Sequence, residues 1–339
     1  GTIDQALLGG LRVKHAPLRA SALSRSLLVI DEVHASDAYM NAIARPLVEG
    51  HVSLGGHALL MSATLGSGQR AAWLGQEGPS LAAATSVPYP AIWHDTAPSA
   101  PLRPEPEGRM KMVHPSPVPT MDAAEAARQA VDAAARGARV LVIRNTVDVA
   151  TATWRAVVAA RPDLCLTVEG QPALHHSRFA AEDRRVLDAA VEDALGRKGA
   201  GTGIVVVGTQ TLEQSLDIDA DVMITDLCPM DVLLQRIGRL HRHGGRLRPS
   251  GFEEAVVHVM IPESGLAALT IGPRHENGLG AWQVADGYAG IYIDLRILEL
   301  TRRCVEEQGP WLIPTDNRTL VEAATHPDAL AAVEAELNW

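Results

Sequence analysis

Short apolar runs alternate with helical stretches along most of the chain, and this alternation limits the folds that the sequence can adopt. The runs predicted as strands are Leu27–Ile30, Leu59–Met61, Val140–Ile143, Ile204–Val207, Val222–Thr225 and Val256–Ile261. Apolar runs of this length, without regular polar alternation, are typical of strands that are buried on both faces. Strands that alternate with helices form parallel sheets covered by helices. The sequence therefore predicts an α/β fold.

The stretches between these runs carry helical periodicity or helix-capping residues. The predicted helices are Thr2–Leu11, Asp37–Val48, Gln69–Leu74, Asp122–Arg136, Val147–Ala160, Ala180–Leu195, Val232–His241, Ile293–Glu306 and Leu320–Leu337. A proline-rich stretch separates two α/β series, and we expect one strand in it, around Met110–His114. We therefore predict a first domain at 1–96, this connection at 97–120, a second domain at 121–262 and a small, mainly helical accessory segment at 263–339.

Charge and cysteine content exclude several classes of protein. The formal net charge of −10 argues against binding of nucleic acid by bulk electrostatic attraction, and leaves open a groove of backbone amides and hydroxyls. The three cysteines, Cys165, Cys228 and Cys304, are far apart and form no CxxC pair, which predicts a reduced, cytoplasmic protein without a disulfide framework. No apolar run approaches the roughly 18 residues of a membrane span, so we expect no membrane association.

Polar residues follow three of the predicted strands. They are Asp31 and Glu32, Ser62 and Thr64, and Thr209 and Gln210. Ligands of open parallel sheets bind outside the carboxyl ends of the strands, so these side chains should line a cleft. Adjacent carboxylates suit a hard cation such as Mg²⁺ and can polarise a water molecule. The same residue types are also common as helix caps and turns, and this structural interpretation stays open for each group.

The stretch Gln235–His243 concentrates basic side chains near the end of the second series. On a continuous helix, Gln235, Arg239 and Arg242 share one face, at spacings of four and three residues. Leu233, Ile237 and Leu240 share the opposite, apolar face. Guanidinium groups bind phosphate oxygens bidentately and stabilise charge on a transferred phosphoryl group. This pattern predicts an anion clamp, and a solvated basic helix face is the alternative.

Together these stretches resemble a known family. In order, DEVH (Asp31–His34), SAT (Ser62–Thr64), TQTLEQSLD (Thr209–Asp217) and QRIGRLHR (Gln235–Arg242) look like motifs II, III, V and VI of the superfamily 2 helicases. Several segments, taken residue by residue, resemble the CRISPR-associated DNA helicase–nuclease of type I systems. These segments are GTIDQALL, LRVKHAPLR, VIDEVHA, HSRF, EQSLDIDAD, LLQRIGRLHRH and IPTDNRTLVE. The resemblance covers the chain well to about Arg248 and thinly beyond it.

The resemblance implies tandem RecA-like parallel-sheet domains, the first truncated at its amino terminus, which bind ATP with Mg²⁺ and single-stranded DNA. Asp31 and Glu32 would serve Mg²⁺ and the hydrolytic water. Gln235, Arg239 and Arg242 would contact the ATP phosphates, with Arg239 or Arg242 as the arginine finger. His34, Ser62 and Thr64 would couple hydrolysis to movement. Gln214 and Asp217 would contact the nucleotide or connect to the arginine helix. The residues that would contact the DNA backbone are Thr2, His176, Arg178 and Thr209. The implied macromolecular partner is an RNA-guided CRISPR surveillance complex.

Two features of the family pattern are absent from this sequence. A P-loop, GxxxxGK[ST], holds nucleotide phosphates with its amides and lysine, and none of the three lysines, Lys14, Lys111 and Lys198, lies in one. The histidine–aspartate nuclease centre of the family is also not visible. Because the chain opens at Gly1 within an element that reads as folded, we expect it to be the carboxy-terminal part of a longer helicase. The P-loop and nuclease domain would then come from a missing amino-terminal region or another polypeptide.

Several functions remain compatible with the sequence. The first is the helicase portion of an ATP-dependent DNA translocase that needs a P-loop from elsewhere. The second is a module that binds DNA or a partner without hydrolysing ATP. An RNA helicase of the same superfamily is a less favoured alternative. A metal-dependent hydrolase unrelated to helicases would leave the arginine stretch and the Ser62–Thr64 motif unexplained.

Overall fold

The structure, a computed structural model, describes residues 14–15, 18, 21, 26–33, 38–87, 89–95, 109–197, 203–213, 216–270, 277–284, 287–307 and 309–339. The chain divides into two compact units, Gly1–Pro79 and Ser80–Trp339. Within the described ranges, no helix is long and apolar enough to cross a membrane. The predicted helix Thr2–Leu11 lies outside the described residues.

The first unit contains a two-stranded parallel sheet. Its elements are β1 (Leu27–Ile30), α1 (Ala38–Ser53), β2 (His57–Leu60) and α2 (Ser67–Leu74). Strands β1 and β2 pair in parallel, with Val29 opposite Leu59. Leu28 and Ile30 are buried, whereas Leu27 is 60% and Val29 is 48% exposed. The prediction of a fully buried first strand was therefore wrong, because only one face of this sheet is covered.

The second unit is built on a six-stranded sheet. Its strands are β3 (Lys111–Val118), β4 (Arg139–Ile143), β7 (Ile204–Gly208), β8 (Val222–Asp226), β9 (Ala255–Met260) and β12 (Trp311–Ile313). Their spatial order is β12-β3-β9-β8-β4-β7, and all neighbouring strands are parallel except β12, which runs antiparallel to β3. The central strands β4 and β8 are buried along their whole length, as expected for parallel strands covered on both faces.

Helices and two small hairpins surround this sheet. The helices are α3 (Leu81–Thr85), α4 (Ala123–Ala135), α5 (Val147–Ala160), α6 (Ala181–Leu195), α7 (Met230–Ile237), α8 (Leu295–Glu306), α9 (Asn317–Thr325) and α10 (Pro327–Leu337). The hairpins are β5 (Thr167–Val168) with β6 (Gln171–Pro172), and β10 (Trp282–Val284) with β11 (Gly287–Ala289). Short 3₁₀ turns lie at Pro162–Leu164, Gln210–Leu212 and Ala267–Leu269. The chain leaves α4 through Gly137, whose φ of +92° is a left-handed conformation that glycine adopts without strain.

The α/β class and the parallel sheets agree with the sequence prediction, and most predicted elements appear within a few residues of their predicted bounds. The structure divides the chain at Pro79, whereas the sequence suggested a connection at 97–120. That connection contains β3, which is an internal strand of the large sheet. The predicted accessory segment supplies β12 to the same sheet. The two ends of the second unit are therefore joined by strand pairing between β3 and β12.

Candidate functional site

In the first unit, the polar residues that follow the two strands lie side by side. The Met61 amide donates to the Ile30 carbonyl at 2.9 Å, and the Val33 amide donates to the Met61 carbonyl at 3.1 Å. The chain therefore stays paired one step beyond β1 and β2. This pairing brings the predicted pair Asp31 and Glu32 close to the segment that begins at Ser62.

Asp31 and Glu32 are both exposed at this strand end. Glu32 has a φ of +54°, an uncommon conformation for a residue with a side chain, and its amide donates to Asp31 Oδ1 at 2.9 Å. Such outliers concentrate at functional sites. No group of three or more metal-ligating side chains occurs among the described residues. The two carboxylates suit the mode in which Mg²⁺ is held by one or two carboxylates together with waters and substrate phosphates.

Ser62 and Thr64 form a tight turn after β2. The Thr64 amide donates to Ser62 Oγ at 3.2 Å. Thr64 is only 5% exposed, and its hydroxyl has no hydrogen-bond partner in the described part of the chain. A buried hydroxyl without a partner is costly, so Thr64 has a free hydrogen-bonding capacity at this edge. His34, the fourth residue of the DEVH motif, lies outside the described residues.

In the second unit, the arginine helix is shorter than predicted. Helix α7 ends at Ile237, so Arg239 and Arg242 lie in a loop and do not share a continuous helix face with Gln235. The chain tightens at Gly238 into turns in which the Arg239 amide donates to the Arg236 carbonyl at 2.8 Å and the Leu240 amide to the Ile237 carbonyl at 3.0 Å. The predicted helix Val232–His241 was therefore wrong in its last turn. We call Gly238–Arg242 the arginine loop.

The arginine loop is fixed by backbone bonds to the segment that precedes β8. The Ala220 amide donates to the Arg239 carbonyl at 2.9 Å, and the His241 amide donates to the Ala220 carbonyl at 3.1 Å. Leu240 is fully buried beside this bridge, and His241 takes a left-handed φ of +45°. Because Ala220 lies just before β8, the loop lies at the amino ends of the strands. Helix α7 begins after the carboxyl end of β8, and the side chain of Arg236 near its end reaches Thr225 and Asn145 at the carboxyl ends of β8 and β4.

The side chains that were predicted to bind phosphate differ in their surroundings. Gln235 Nε2 donates to the Asp231 carbonyl at 3.2 Å within α7. Arg239 Nη2 donates to the Glu213 carbonyl at 2.7 Å, and Arg239 Nε is buried without a hydrogen-bond partner among the described residues. Arg242 is partly exposed and pairs through Nε with Asp217 Oδ1 at 2.9 Å. Arg239 and Arg242 are thus brought to the segment that contains Glu213 and Asp217, and Gln214 between them lies outside the described residues.

Arg236, which the sequence analysis passed over, is the most deeply buried arginine of this stretch. Its Nε lies 2.7 Å from Glu213 Oε1, and its Nη atoms donate to Thr225 Oγ1 at 2.6 Å, Asn145 Oδ1 at 3.1 Å and Tyr292 Oη at 3.2 Å. Burial raises the pKa of the Glu213 carboxyl, and the Arg236 charge opposes this effect. Arg236 lies three residues from Leu233 and four from Leu240, so its position on the apolar face was the available signal.

A cluster of ion pairs around the buried carboxylates of Asp219 and Asp221 binds the arginine loop to the segment that precedes β8. Asp219 accepts the Arg242 amide at 2.8 Å and pairs with Arg248 at 2.7 Å and Arg246 at 3.0 Å. Asp221 also binds both of these arginines. Burial opposes ionisation of Asp219, but the hydrogen bonds and charges of the two arginines outweigh it and hold the pKa of Asp219 below its ordinary value. The backbone of Arg242 is therefore anchored to an ionised carboxylate.

The residues that were predicted to face DNA lie around the carboxyl end of β7. The Thr209 amide donates to the His175 carbonyl at 3.2 Å, so Thr209 lies next to the HSRF segment. His176 stacks on Phe179 with ring centroids 4.3 Å apart, and Arg178 is largely exposed, 3.3 Å from Asp148. Thr209 is only 2% exposed, which argues against direct contact of its side chain with a strand in this conformation. Thr2 lies outside the described residues.

A buried histidine orders this region. His175 is 1% exposed, and its ring nitrogens lie 2.8 Å from Thr211 Oγ1 and 2.6 Å from Asp188 Oδ1. The neighbouring His176 has a pKa below its ordinary value, because of partial burial and the nearby Arg178 charge. A neutral His176 ring can stack on a base, and an exposed Arg178 can bind a phosphate.

Comparisons with known proteins show which family the chain resembles in sequence and structure. Residues 136–245 match the C-terminal domain family of the CRISPR-associated nuclease/helicase Cas3. The chain is 33% identical over 316 residues to a CRISPR-associated endonuclease/helicase Cas3 of Escherichia coli strain K12, and the match covers 90% of this chain and 33% of that protein. It therefore spans about a third of the length of the curated relatives that it matches first.

Solved structures show the same relationship. The crystal structure of T. fusca Cas3 with ATP aligns over 100% of this chain and 39% of that chain, with a TM-score of 0.70 and 27% identity. A chain of a CRISPR RNA-guided surveillance complex in a pre-nicking state aligns over 100% of this chain and 43% of that chain, with a TM-score of 0.67 and 26% identity.

Proposed function

Because the chain belongs to the Cas3 family of CRISPR-associated nuclease/helicases, we propose that it is the helicase portion of an ATP-dependent enzyme that translocates on single-stranded DNA. The fold is α/β and RecA-like, as in the related structures. The proposal places ATP hydrolysis, and not nuclease chemistry, on the residues of this chain.

The observation that carries this proposal is the state of Arg239. Its backbone is held by Ala220, yet its Nε is buried and has no hydrogen-bond partner among the described residues. A buried guanidinium N–H without an acceptor is costly, so a site that retains it is suited to an incoming anion. A solved relative binds ATP, and the phosphates of ATP are anions of the required kind. We assign Arg239, Arg242 and Gln235 to the nucleotide phosphates.

The carboxylates of the first unit complete the assignment. Asp31 would hold Mg²⁺, directly or through water, and Glu32 would orient the water molecule that attacks the terminal phosphate. The cation, when bound, neutralises charge on the phosphates. Ser62 and Thr64, at the same strand ends, would couple hydrolysis to movement; the Thr64 hydroxyl has no hydrogen-bond partner among the described residues. His34 would take part in this coupling.

The proposed DNA contacts lie at the carboxyl end of β7. Exposed Arg178 would bind a backbone phosphate and His176 would stack on a base, while Thr209 would act through its backbone. Thr2 would contact the same strand. Asp217, which pairs with Arg242, and Gln214 would contact the nucleotide or connect to the arginine loop.

The proposed partners follow from the family. A related chain is part of an RNA-guided surveillance complex, and we propose the same kind of complex as the source of the DNA substrate. The sequence holds no P-loop, so the phosphate-binding lysine must come from a region or polypeptide that carries GxxxxGK[ST]. We place the enzyme in the cytoplasm, in keeping with the three free cysteines.

The test is ATP hydrolysis with Mg²⁺ and single-stranded DNA. The chain would be assayed alone and together with the polypeptide encoded immediately upstream, which we propose as the P-loop-bearing polypeptide. We expect DNA-stimulated hydrolysis only in the mixture. Hydrolysis by the chain alone would contradict the requirement for a P-loop, and no hydrolysis in either sample would favour a module that binds DNA or a partner without ATP turnover.

A further inference from the structure

Lys111 is a largely buried lysine whose side chain contacts the arginine loop. It is the first residue of β3 and one of only three lysines in the chain. Its Nζ donates to the carbonyl oxygen of Ile237 at 2.7 Å and also to the carbonyl oxygen of Leu240. One amine therefore joins the last residue of α7 to the middle of the arginine loop.

The two carbonyls that Lys111 binds define the bend between helix and loop. Ile237 ends α7, and its carbonyl already accepts the Leu240 amide in a tight turn. Carbonyls at a helix end carry the negative end of the helix dipole and favour a cationic donor. Leu240 is fully buried, so a Leu240 carbonyl without a donor would be costly. Loss of the lysine donor should therefore allow this bend to open.

We propose that Lys111 is a positioning residue for Arg239 and Arg242. By holding Ile237 and Leu240 at a fixed separation, it sets the direction in which the arginine side chains leave the loop. The proposal rests on the proposed function, in which these two arginines contact the ATP phosphates. Lys111 itself contacts only backbone oxygens in the described structure, so it acts through the arginines. Arginine contacts with a reacting phosphate are sensitive to displacements of about 1 Å.

The contact of Lys111 with the Ile237 and Leu240 carbonyls, which we call the lysine clamp, can be made by the neutral amine as well as by the charged ammonium. Burial lowers the pKa of Lys111 to about 7; the Asp219 charge opposes this, and the charges of Arg242, Arg248 and Arg109 add to it. A neutral amine still has two N–H donors, enough for both carbonyls. The clamp should therefore persist when the pH rises through neutrality.

Amide hydrogen exchange tests the clamp in this chain without any assumption about ATP. Lys111→Met keeps the length of the side chain and removes its donors. We expect the Arg239 and Leu240 amides to exchange about tenfold faster or more, because the turn loses both carbonyl contacts. The β4 amides and a variant of an exposed lysine, Lys14→Met, serve as controls and should not change.

A second variant keeps the test informative if Lys111→Met disturbs the whole unit. Lys111→Gln is uncharged and retains two N–H donors on a shorter side chain. We expect it to exchange faster than the wild type and slower than Lys111→Met, in the arginine loop only. Unchanged exchange of the loop in both variants would overturn the inference. This result would leave the proposed function untouched.

Steady-state kinetics with the P-loop-bearing polypeptide test the link to the arginines. Lys111→Met should lower kcat about 10- to 100-fold and change KM for ATP less than about threefold, because it misaligns groups that act in the transition state. In an Arg242→Ala background it should cause little further loss. If Lys111→Met kept the wild-type kcat while Arg242→Ala was inactive, the inference about Lys111 would be overturned and the proposed function would stand. Full activity of Arg242→Ala would instead contradict the proposed function.

Discussion

At the scale of single residues, neighbouring arginines have separate roles. Arg236 is buried and paired with Glu213, and it holds the site together. Arg239 is partly buried, and its Nε has no hydrogen-bond partner among the described residues, whereas Arg242 is partly exposed and paired with Asp217. The position of Arg236 on the apolar face of the helix sets it apart in the sequence, but the different surroundings of Arg239 and Arg242 depend on contacts that the fold brings to them.

Arg236→Ala should destabilise the second unit by about 3–5 kcal/mol, because it leaves the buried Glu213 carboxylate without its partner. The matched control is Arg242→Ala, whose surface pair contributes about 1 kcal/mol or less. Urea unfolding followed by circular dichroism would measure both. A loss below about 1 kcal/mol for Arg236→Ala would show that Glu213 is accommodated in another way.

Lys111 gives a prediction for the dependence of stability on pH. Its pKa is about 7 in the folded chain and about 10.5 when unfolded, so between these values the unfolded chain binds more protons. The cost of burying the ammonium is complete below pH 7 and is relieved as the pH rises towards 10.5. From pH 7 to pH 9 this group should therefore add on the order of 2 kcal/mol to the free energy of unfolding.

The measurement compares the wild type with Lys111→Met by urea unfolding at pH 7 and pH 9. Between pH 7 and pH 9 the free energy of unfolding should rise by on the order of 2 kcal/mol more in the wild type than in Lys111→Met. Lys14→Met, which removes an exposed lysine, should follow the wild type. An equal gain in wild type and Lys111→Met would mean that Lys111 is not desolvated as the structure indicates.

At the scale of secondary-structure elements, the sequence predicted the strands better than the end of the arginine helix. Apolar runs such as Val140–Ile143 and Val222–Thr225 mark the central strands because those strands are buried on both faces. Leu240 continues the apolar period of α7 and is indeed buried, but in a loop. The helix ends because Ala220 and Lys111 bind the following turn. These are long-range contacts that local periodicity does not contain.

Local sequence patterns were also insufficient to predict the details of the candidate site. The motifs predicted which residues lie near each other, such as Thr209 beside the HSRF segment and Arg242 beside Asp217. They did not predict which side chains are exposed. Thr209 is buried, whereas Arg178 is open to solvent. Exposure depends on the whole packing of the unit, so it was not available from spacing alone.

The anchoring of the arginine loop to the segment before β8 predicts different effects for two neighbouring aspartates. Asp219→Asn should destabilise the second unit by about 3 kcal/mol or more, because the buried Asp219 carboxylate is the ionised partner of half-buried Arg246 and Arg248. Asp217→Asn is the matched control, since its side chain is 55% exposed and its pair with Arg242 contributes little. Thermal unfolding would compare them, and equal shifts in Tm would contradict the anchoring role of Asp219.

At the scale of the whole molecule, the two units differ in how completely they cover their sheets. In the second unit the central strands are buried along their length. In the first unit Leu27, Val29 and Leu59 are exposed on the two-stranded sheet. Exposed apolar strands promote pairing with another chain or covering by a partner. The chain spans about a third of the length of these curated relatives.

This asymmetry predicts self-association of the chain when it is studied alone. Light scattering should show a mass that rises with concentration. The double change Val29→Thr and Leu59→Thr should reduce it, because it removes paired apolar side chains from the exposed face. Val186→Thr, at a similarly exposed position in the second unit, should leave it unchanged. A monomer at all concentrations in the wild type would contradict this account of the first unit.

DNA-stimulated hydrolysis of ATP would show whether the arginine loop acts on the phosphates of ATP. DNA-stimulated ATP hydrolysis would be compared for the wild type, Arg242→Ala and Arg161→Ala, each with the P-loop-bearing polypeptide. Arg161 pairs with Asp163 on the surface and serves as the control. The account predicts that Arg242→Ala lowers the rate roughly 10³- to 10⁵-fold with nearly unchanged affinity for single-stranded DNA. Wild-type hydrolysis by Arg242→Ala, or an equal loss of hydrolysis and DNA binding, would contradict it.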